Sequence, residues 1–208
     1  MIKVELLDTV LMPSTNPYSQ EQQALLLSIA AQSIKSGLEK GLSLSIDATH
    51  YPSPLSDIRA TFVTLEIESQ LRGCIGMLQA SRPLVEDVAE NAFAAAFRDP
   101  RFPGLTNHEF EQLEIHISIL SIPEHVSFEN ESDLIHKIRP NIDGLILSEG
   151  YQRGTFLPSV WESLPTPELF LQQLKQKAGL HRDYWSDTIQ IERYTTHSFG
   201  APIADIEV

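Results

Sequence analysis

The chain has a single cysteine, Cys74, which excludes an intramolecular disulfide and a cysteine-rich zinc site. No apolar run approaches the length needed to cross a bilayer. Residues 1–12 carry Lys3, Glu5 and Asp8 and so lack the apolar core of a signal peptide, which makes the cytoplasm the expected compartment. Basic residues are scarce, 15 Lys and Arg against 28 Asp and Glu, for a net charge of −13. They are also scattered, so the summed field repels phosphate backbones, and neither nucleic acid nor a membrane is an expected partner. No His-Glu-x-x-His, phosphate-binding loop or dinucleotide fingerprint occurs. No metal ligand set is read from the sequence, and no cofactor is named by it.

What is present reads as an ordinary globular chain, 42% hydrophobic and 21% charged over 208 residues. Ser19 and Gln22 resemble a capping box, and Leu26, Ile29, Ala30, Ile34 and Leu38 follow at helical spacing, with Gly37 or Gly41 as the stop. Segments 61–67 and 71–77 read as two strands joined by a short polar turn, hence a hairpin. A helix follows over 83–98, with Pro83 in its first turn and Leu84, Val88, Ala92 and Ala96 on one face. Clean alternation over 113–120 puts Leu113, Ile115, Ile117 and Ile119 on one side of a strand, with His116 on the other. A short helix over 131–138, a strand over 144–148, a helix begun by Thr166-Pro167-Glu168 and a closing strand over 188–194 complete the reading. The hairpin and the alternating strand favour antiparallel pairing, so the fold class is α+β, a mainly antiparallel sheet with packed helices.

The lone cysteine lies in Leu71-Arg72-Gly73-Cys74-Ile75-Gly76. Glycine within a strand marks a bulge, or a place where backbone or ligand comes close, so Gly73 and Gly76 are candidate substrate contacts. In an extended segment Arg72 and Cys74 share a face about 7 Å apart, and a guanidinium there favours the thiolate. The bland alternative is a small buried hydrophobe. A nucleophilic Cys74 needs a base, and among seven histidines His116 is the candidate; its alternative is an exposed strand histidine. Arg72, Arg101 and Arg153 are candidate two-pronged anion binders or structural ion pairs, and for Arg101, in Asp99-Pro100-Arg101-Phe102, the ion pair is favoured. His181-Arg182-Asp183 echoes a kinase catalytic loop by coincidence, with no other kinase motif present.

Several separated blocks resemble the AMMECR domain family, also described as protein A of the AmmeMemoRadiSam system. They are Phe62-Val63-Thr64-Leu65, the LRGCIG hexapeptide at 71–76, Ala96 to Phe102, Ile117 to Ser121, Asp143-Gly144-Leu145, Gly154 to Trp161, Lys177 to Leu180, and Trp185. The ordered series covers most of residues 25–200. The resemblance implies one α+β domain of a larger and a smaller lobe, with the LRGCIG strand near the cleft between them, and it implies no settled reaction. It also implies partners similar to Memo-like and radical-SAM proteins; this chain lacks the three-cysteine motif of the latter. Two positions depart from the family pattern: Glu68-Ser69-Gln70 replaces a glycine-containing turn, and His116 stands where an acidic residue is usual.

The expected organisation is an N-terminal extension over 1–18, a two-lobed domain over 19–200 and a C-terminal tail over 201–208. The expected function is an enzyme or enzyme component handling a small anionic molecule in an inter-lobe cleft. That cleft would lie next to Cys74, with Cys74 as nucleophile or substrate contact, Arg72 as the anion anchor and Arg153 as a second contact. The alternative is a non-catalytic partner or scaffold for Memo-like and radical-SAM enzymes.

Overall fold

The structure, a computed structural model, describes residues 17–208. The expected extension over 1–18 thus falls almost wholly outside the described residues. Helix α1 (Gln20–Lys40) begins where Ser19 and Gln22 cap each other. The Gln22 backbone N–H donates to Ser19 Oγ at 3.2 Å, and the Ser19 N–H to Gln22 Oε1 at 2.9 Å. It ends at Gly41, whose φ of 72° suits a residue without a Cβ. Next come β1 (Ile58–Arg59), β2 (Thr61–Ile67), β3 (Gln70–Gly76), β4 (Arg82–Pro83) and α2 (Leu84–Phe97). Then follow α3 (Asn107–Phe110), β5 (Glu114–Leu120), β6 (Glu124–His125), α4 (Glu131–Lys137), β7 (Gly144–Glu149) and β8 (Gln152–Phe156). The last elements are α5 (Pro167–Lys177), β9 (Gln190–Tyr194) and β10 (Thr196–Pro202).

In the larger lobe four strands run in the order β10-β5-β2-β3, each pair antiparallel, with α1 and α2 against one face. That face carries Val63, Leu65, Ile115, Ile117 and Ile119, buried against Ile34 of α1 and Val88, Ala92 and Ala96 of α2. A polar network ties α2 to β2 within this core. The Asp87 carboxylate accepts from Thr61 N–H at 2.9 Å, Thr61 Oγ1 at 2.7 Å and Asn91 Nδ2 at 2.9 Å. Ala92 is fully buried, so Ala92→Leu should overpack the helix–sheet contact and cost about 1–3 kcal/mol. An unchanged urea midpoint for that variant would refute the packing.

The smaller lobe is a second antiparallel sheet, β6-β9-β7-β8, covered by α4 and α5 around Leu145, Leu147, Trp161, Phe170, Leu174 and Ile191. Its chain segment is inserted between β5 and β10. The two crossing strands are clasped: Ser121 N–H donates to Thr195 O at 2.9 Å, and Thr195 N–H to Ser121 Oγ at 3.0 Å. The lobes meet on Ala60, Leu120, Ile146 and Tyr194, with Phe62 and Leu157 beside them. The Tyr194 hydroxyl donates to Phe156 O at 3.1 Å, and burial pushes its phenol up to about 12, so it is neutral at any physiological pH.

Three features differ from the sequence reading. The short elements β1, β4, β6 and α3 and the longer strands β8 and β10 are additional; β8 and β10 both contain glycine, and β10 also contains Pro202. The segment expected as a tail, 201–208, instead completes β10 and buries Ile203 in the larger core. The turn between β2 and β3 places Glu68 and Ser69 at φ 51° and 61°. That left-handed backbone suits asparagine and glycine. Replacing Glu68-Ser69 by Asn-Gly should therefore stabilise the fold by about 1–2 kcal/mol, read as a higher melting temperature; a lower one would contradict the assignment.

Candidate functional site

Strand β3 is an edge strand of its sheet, and an uncovered edge invites pairing with other chains. Here the Asp99-Pro100-Arg101 turn covers it. The Cys74 N–H donates to Asp99 Oδ2 at 2.9 Å, and Arg101 Nη2 donates to Cys74 O at 3.3 Å. Asp99 also accepts from Arg101 N, Nε and Nη2 at 3.1, 2.9 and 2.7 Å. The Arg101 guanidinium holds the Asp99 carboxyl well below the usual carboxylate range. Arg101 is thus the structural ion pair that its turn suggested.

The two glycines of the hexapeptide serve packing. A Cβ at Gly73 would lie 2.2 Å from the backbone oxygen of Ala95, so this glycine faces α2 rather than the cleft. A Cβ at Gly76 would lie 2.3 Å from Thr61 O and 2.4 Å from the Phe62 ring. Neither position is left open to a ligand on that side.

Arg72 does not share the surroundings of Cys74. The register slips between Leu65 and Glu66, which pair with Gly73 and Leu71, so Arg72 is the extra residue of a β-bulge and the strict alternation fails there. Its Nε and Nη2 donate to Glu109 at 2.7 and 3.3 Å, and Nη2 also to Pro103 O at 2.9 Å. The guanidinium holds the Glu109 carboxyl down to about 2. Cys74 instead lies on the open face of the sheet, half-buried, opposite Thr64, whose hydroxyl donates to Sγ at 3.2 Å. Because Arg72 is committed to Glu109, Arg72→Leu should destabilise the protein while leaving the native-state alkylation rate of Cys74 unchanged. A clearly slower alkylation would show that its charge acts on the thiol after all.

His116 shares this face but not the immediate neighbourhood. It pairs with Thr64, which pairs with Cys74, so a strand separates the two and their Cα atoms are roughly 10 Å apart. Its Nε2 lies 3.2 Å from Glu114 Oε1 and 3.8 Å from Glu66 Oε2. Arg153, on β8 of the other lobe, stands half-exposed with Nη2 3.9 Å from Glu192. The structure therefore brings Cys74 and His116 onto one face and takes Arg72 out of their company.

The cavity between the lobes is elsewhere. It measures about 650 Å³ and opens beside the Ser121–Thr195 neck, lined by Arg59, Arg139 and Arg193 with Tyr18, Thr195 and His197. Arg59 Nη2 lies 3.1 Å from Asp57, and Arg139 Nη2 lies 2.6 Å from the fully buried Asp143. Arg193 is less engaged: Nη2 is 3.8 Å from Glu124, and its buried Nε has no hydrogen-bond partner among the described residues. Burial lowers the pKa of His197 and favours its neutral ring, and its Nε2 is likewise unpartnered. These arginines carry no local motif and share no common sequence context, and only the fold of the two lobes gathers them.

A helix-backed antiparallel sheet, with a second sheet-and-helix lobe inserted before its last strand, defines a two-lobed α+β class of protein. The chain matches the AMMECR1 family over residues 27–199 and belongs to it. It is 35% identical over 180 residues to a protein of Methanothermobacter thermautotrophicus, covering 82% of this chain and 89% of that one. To a protein of Sulfolobus acidocaldarius it is 39% identical over 181 residues, covering 81% and 77%. It also superposes on the crystal structure of an uncharacterized protein from Pyrococcus horikoshii with a TM-score of 0.77 at 31% identity, over 88% of this chain and 93% of that one. Among the described residues no helix is long and apolar enough to cross a membrane.

Proposed function

We propose that the protein binds a small anionic molecule in the cavity between its lobes, acting as an enzyme or as a component of one. The observation that carries this reading is the convergence of Arg59, Arg139 and Arg193 on a cavity of about 650 Å³ in a chain of net charge −13. That volume suits a metabolite-sized ligand, and a guanidinium presents paired donors that match a carboxylate or phosphate. Arg193 is the proposed anchor, because it keeps an unpartnered donor while Arg59 and Arg139 hold acidic neighbours. On this reading Cys74 lies outside the binding cavity. The test is calorimetric titration of citrate and of inorganic phosphate into the wild type and Arg193→Leu. Saturable binding that weakens about 10–100-fold in the variant, the worth of a charged hydrogen bond, is expected. Absence of binding, or equal binding by both proteins, would refute it.

A second reading, a non-catalytic partner for Memo-like and radical-SAM enzymes, has one observation in its favour. The glycines of the hexapeptide are accounted for by close packing against α2 and β2, with no ligand needed. It predicts that a small alkylating reagent reacts slowly with native Cys74 and quickly only after unfolding. Labelling at the rate of a free thiol would count against it.

A further inference from the structure

On the open face of the larger sheet, Glu66 of β2 and Glu114 of β5 stand directly opposite each other in the antiparallel register. Like charges in that arrangement destabilise a strand pair unless something lies between them. His116, two residues beyond Glu114 on the same face, brings its imidazole to the pair. One ligand atom from each of the three residues lies within 4.8 Å of the others. Donors around one first-row divalent ion, at about 2.0–2.2 Å from it, come within a similar distance of one another.

The imidazole is seated for this role from behind. A Cβ at Gly200 of β10 would fall 2.4 Å from His116 Nδ1 and 3.0 Å from Cε1, so the ring lies in the space that a glycine leaves. This packing directs Nε2 towards the carboxylates. Although Nε2 is 3.2 Å from Glu114 Oε1, the geometry is not that of a hydrogen bond, and this buried atom has no hydrogen-bond partner among the described residues. Neither glutamate has another ion-pair partner among the described residues.

We propose that Glu66, Glu114 and His116 form a binding site for a divalent transition-metal ion. One imidazole and two carboxylates suit zinc or manganese, and two carboxylates beside a neutral imidazole balance a dication. Three protein ligands leave coordination positions for water or another molecule, as in metal sites that do chemistry. The three residues are not among those lining the arginine-rich cavity, so this site stands or falls separately from the anion site.

The test is calorimetric titration of zinc chloride, and separately of manganese chloride, into the metal-free full chain. One-to-one saturable binding is expected for wild type, weakened at least about tenfold in Glu66→Gln, Glu114→Gln and His116→Gln. Gly200→Ala, which removes no ligand but crowds both the ring and the Ile115 carbonyl oxygen 2.8 Å away, should also weaken binding. A second measurement uses wild type only: paramagnetic manganese should broaden the amide resonances of residues 64–66 and 114–116 first. A cobalt-loaded sample should lack a thiolate charge-transfer band, which separates this site from adventitious binding at Cys74. Absence of saturable binding by either ion, broadening centred elsewhere, or affinities unchanged in the three ligand variants would overturn the proposal.

Discussion

Gly73→Ala is expected to be among the most damaging single substitutions in the chain, lowering stability by about 3 kcal/mol or more. The added methyl would sit 2.2 Å from the carbonyl oxygen of Ala95, which belongs to the α2 backbone and has no rotamer with which to move aside. The helix must retreat from the sheet, and the contacts of the fully buried Ala92 and Ala95 loosen with it. Gly104→Ala is the control, because a Cβ there would meet only the Phe97 ring at an ordinary 3.7 Å. Urea unfolding compares the two. Equal midpoints would show that α2 does not press on β3 as described.

Asp99→Ala should cost about 1.5–3 kcal/mol, the worth of hydrogen bonds to a charged group, because its Arg101 partner is 53% exposed and is not left as a buried charge. The Asp99 side chain is 2% exposed and accepts from Cys74 N–H and three donors of Arg101. Its loss leaves the edge of β3 without its cover and the Cys74 N–H without a partner. The effect depends on pH with a definite sign. In the folded protein Asp99 titrates below its ordinary 3.8, and Glu109 at about 2 instead of 4.5. A carboxyl depressed in the folded state stabilises fully above its unfolded value, and that stability is lost as pH falls towards the folded value. Wild type should therefore lose stability as pH drops below about 4.5. The gap between wild type and Asp99→Ala should narrow over the same descent. Chemical denaturation across pH 3–7 (roughly the titration range of these carboxyls) reads both; a gap that widens towards acid would contradict the pairing.

Much of the fold was legible because its signals are local. The Ser19–Gln22 cap, the hairpin of β2 and β3 and the alternation of β5 each announce themselves within a few residues. Strand β10 does not, since Thr196 to Pro202 is partly polar and carries both Gly200 and Pro202. It is a strand because it pairs with β5 across the sheet, a contact no window of the sequence contains. The site divides the same way. Cys74 and His116 were placed on polar or glycine-flanked strands, and the register put them on one face. Alternation alone misplaces Arg72, because a bulge adds one residue to β3 and turns its side chain to Glu109. Arg59, Arg139 and Arg193 had no spacing to connect them. The cluster joins Glu66 to Glu114 and His116 only through strand pairing, and no spacing in the sequence connects the three.

Nuclear magnetic resonance titration of the wild-type chain with citrate tests the anion site most directly, because it reports where the ligand sits as well as whether it binds. Saturable amide shifts centred on Ser121, Thr195, Thr196 and His197, the backbone around the arginine-lined cavity, are predicted. Shifts centred on residues 71–76 of the LRGCIG strand, or none at saturating citrate, would contradict the account.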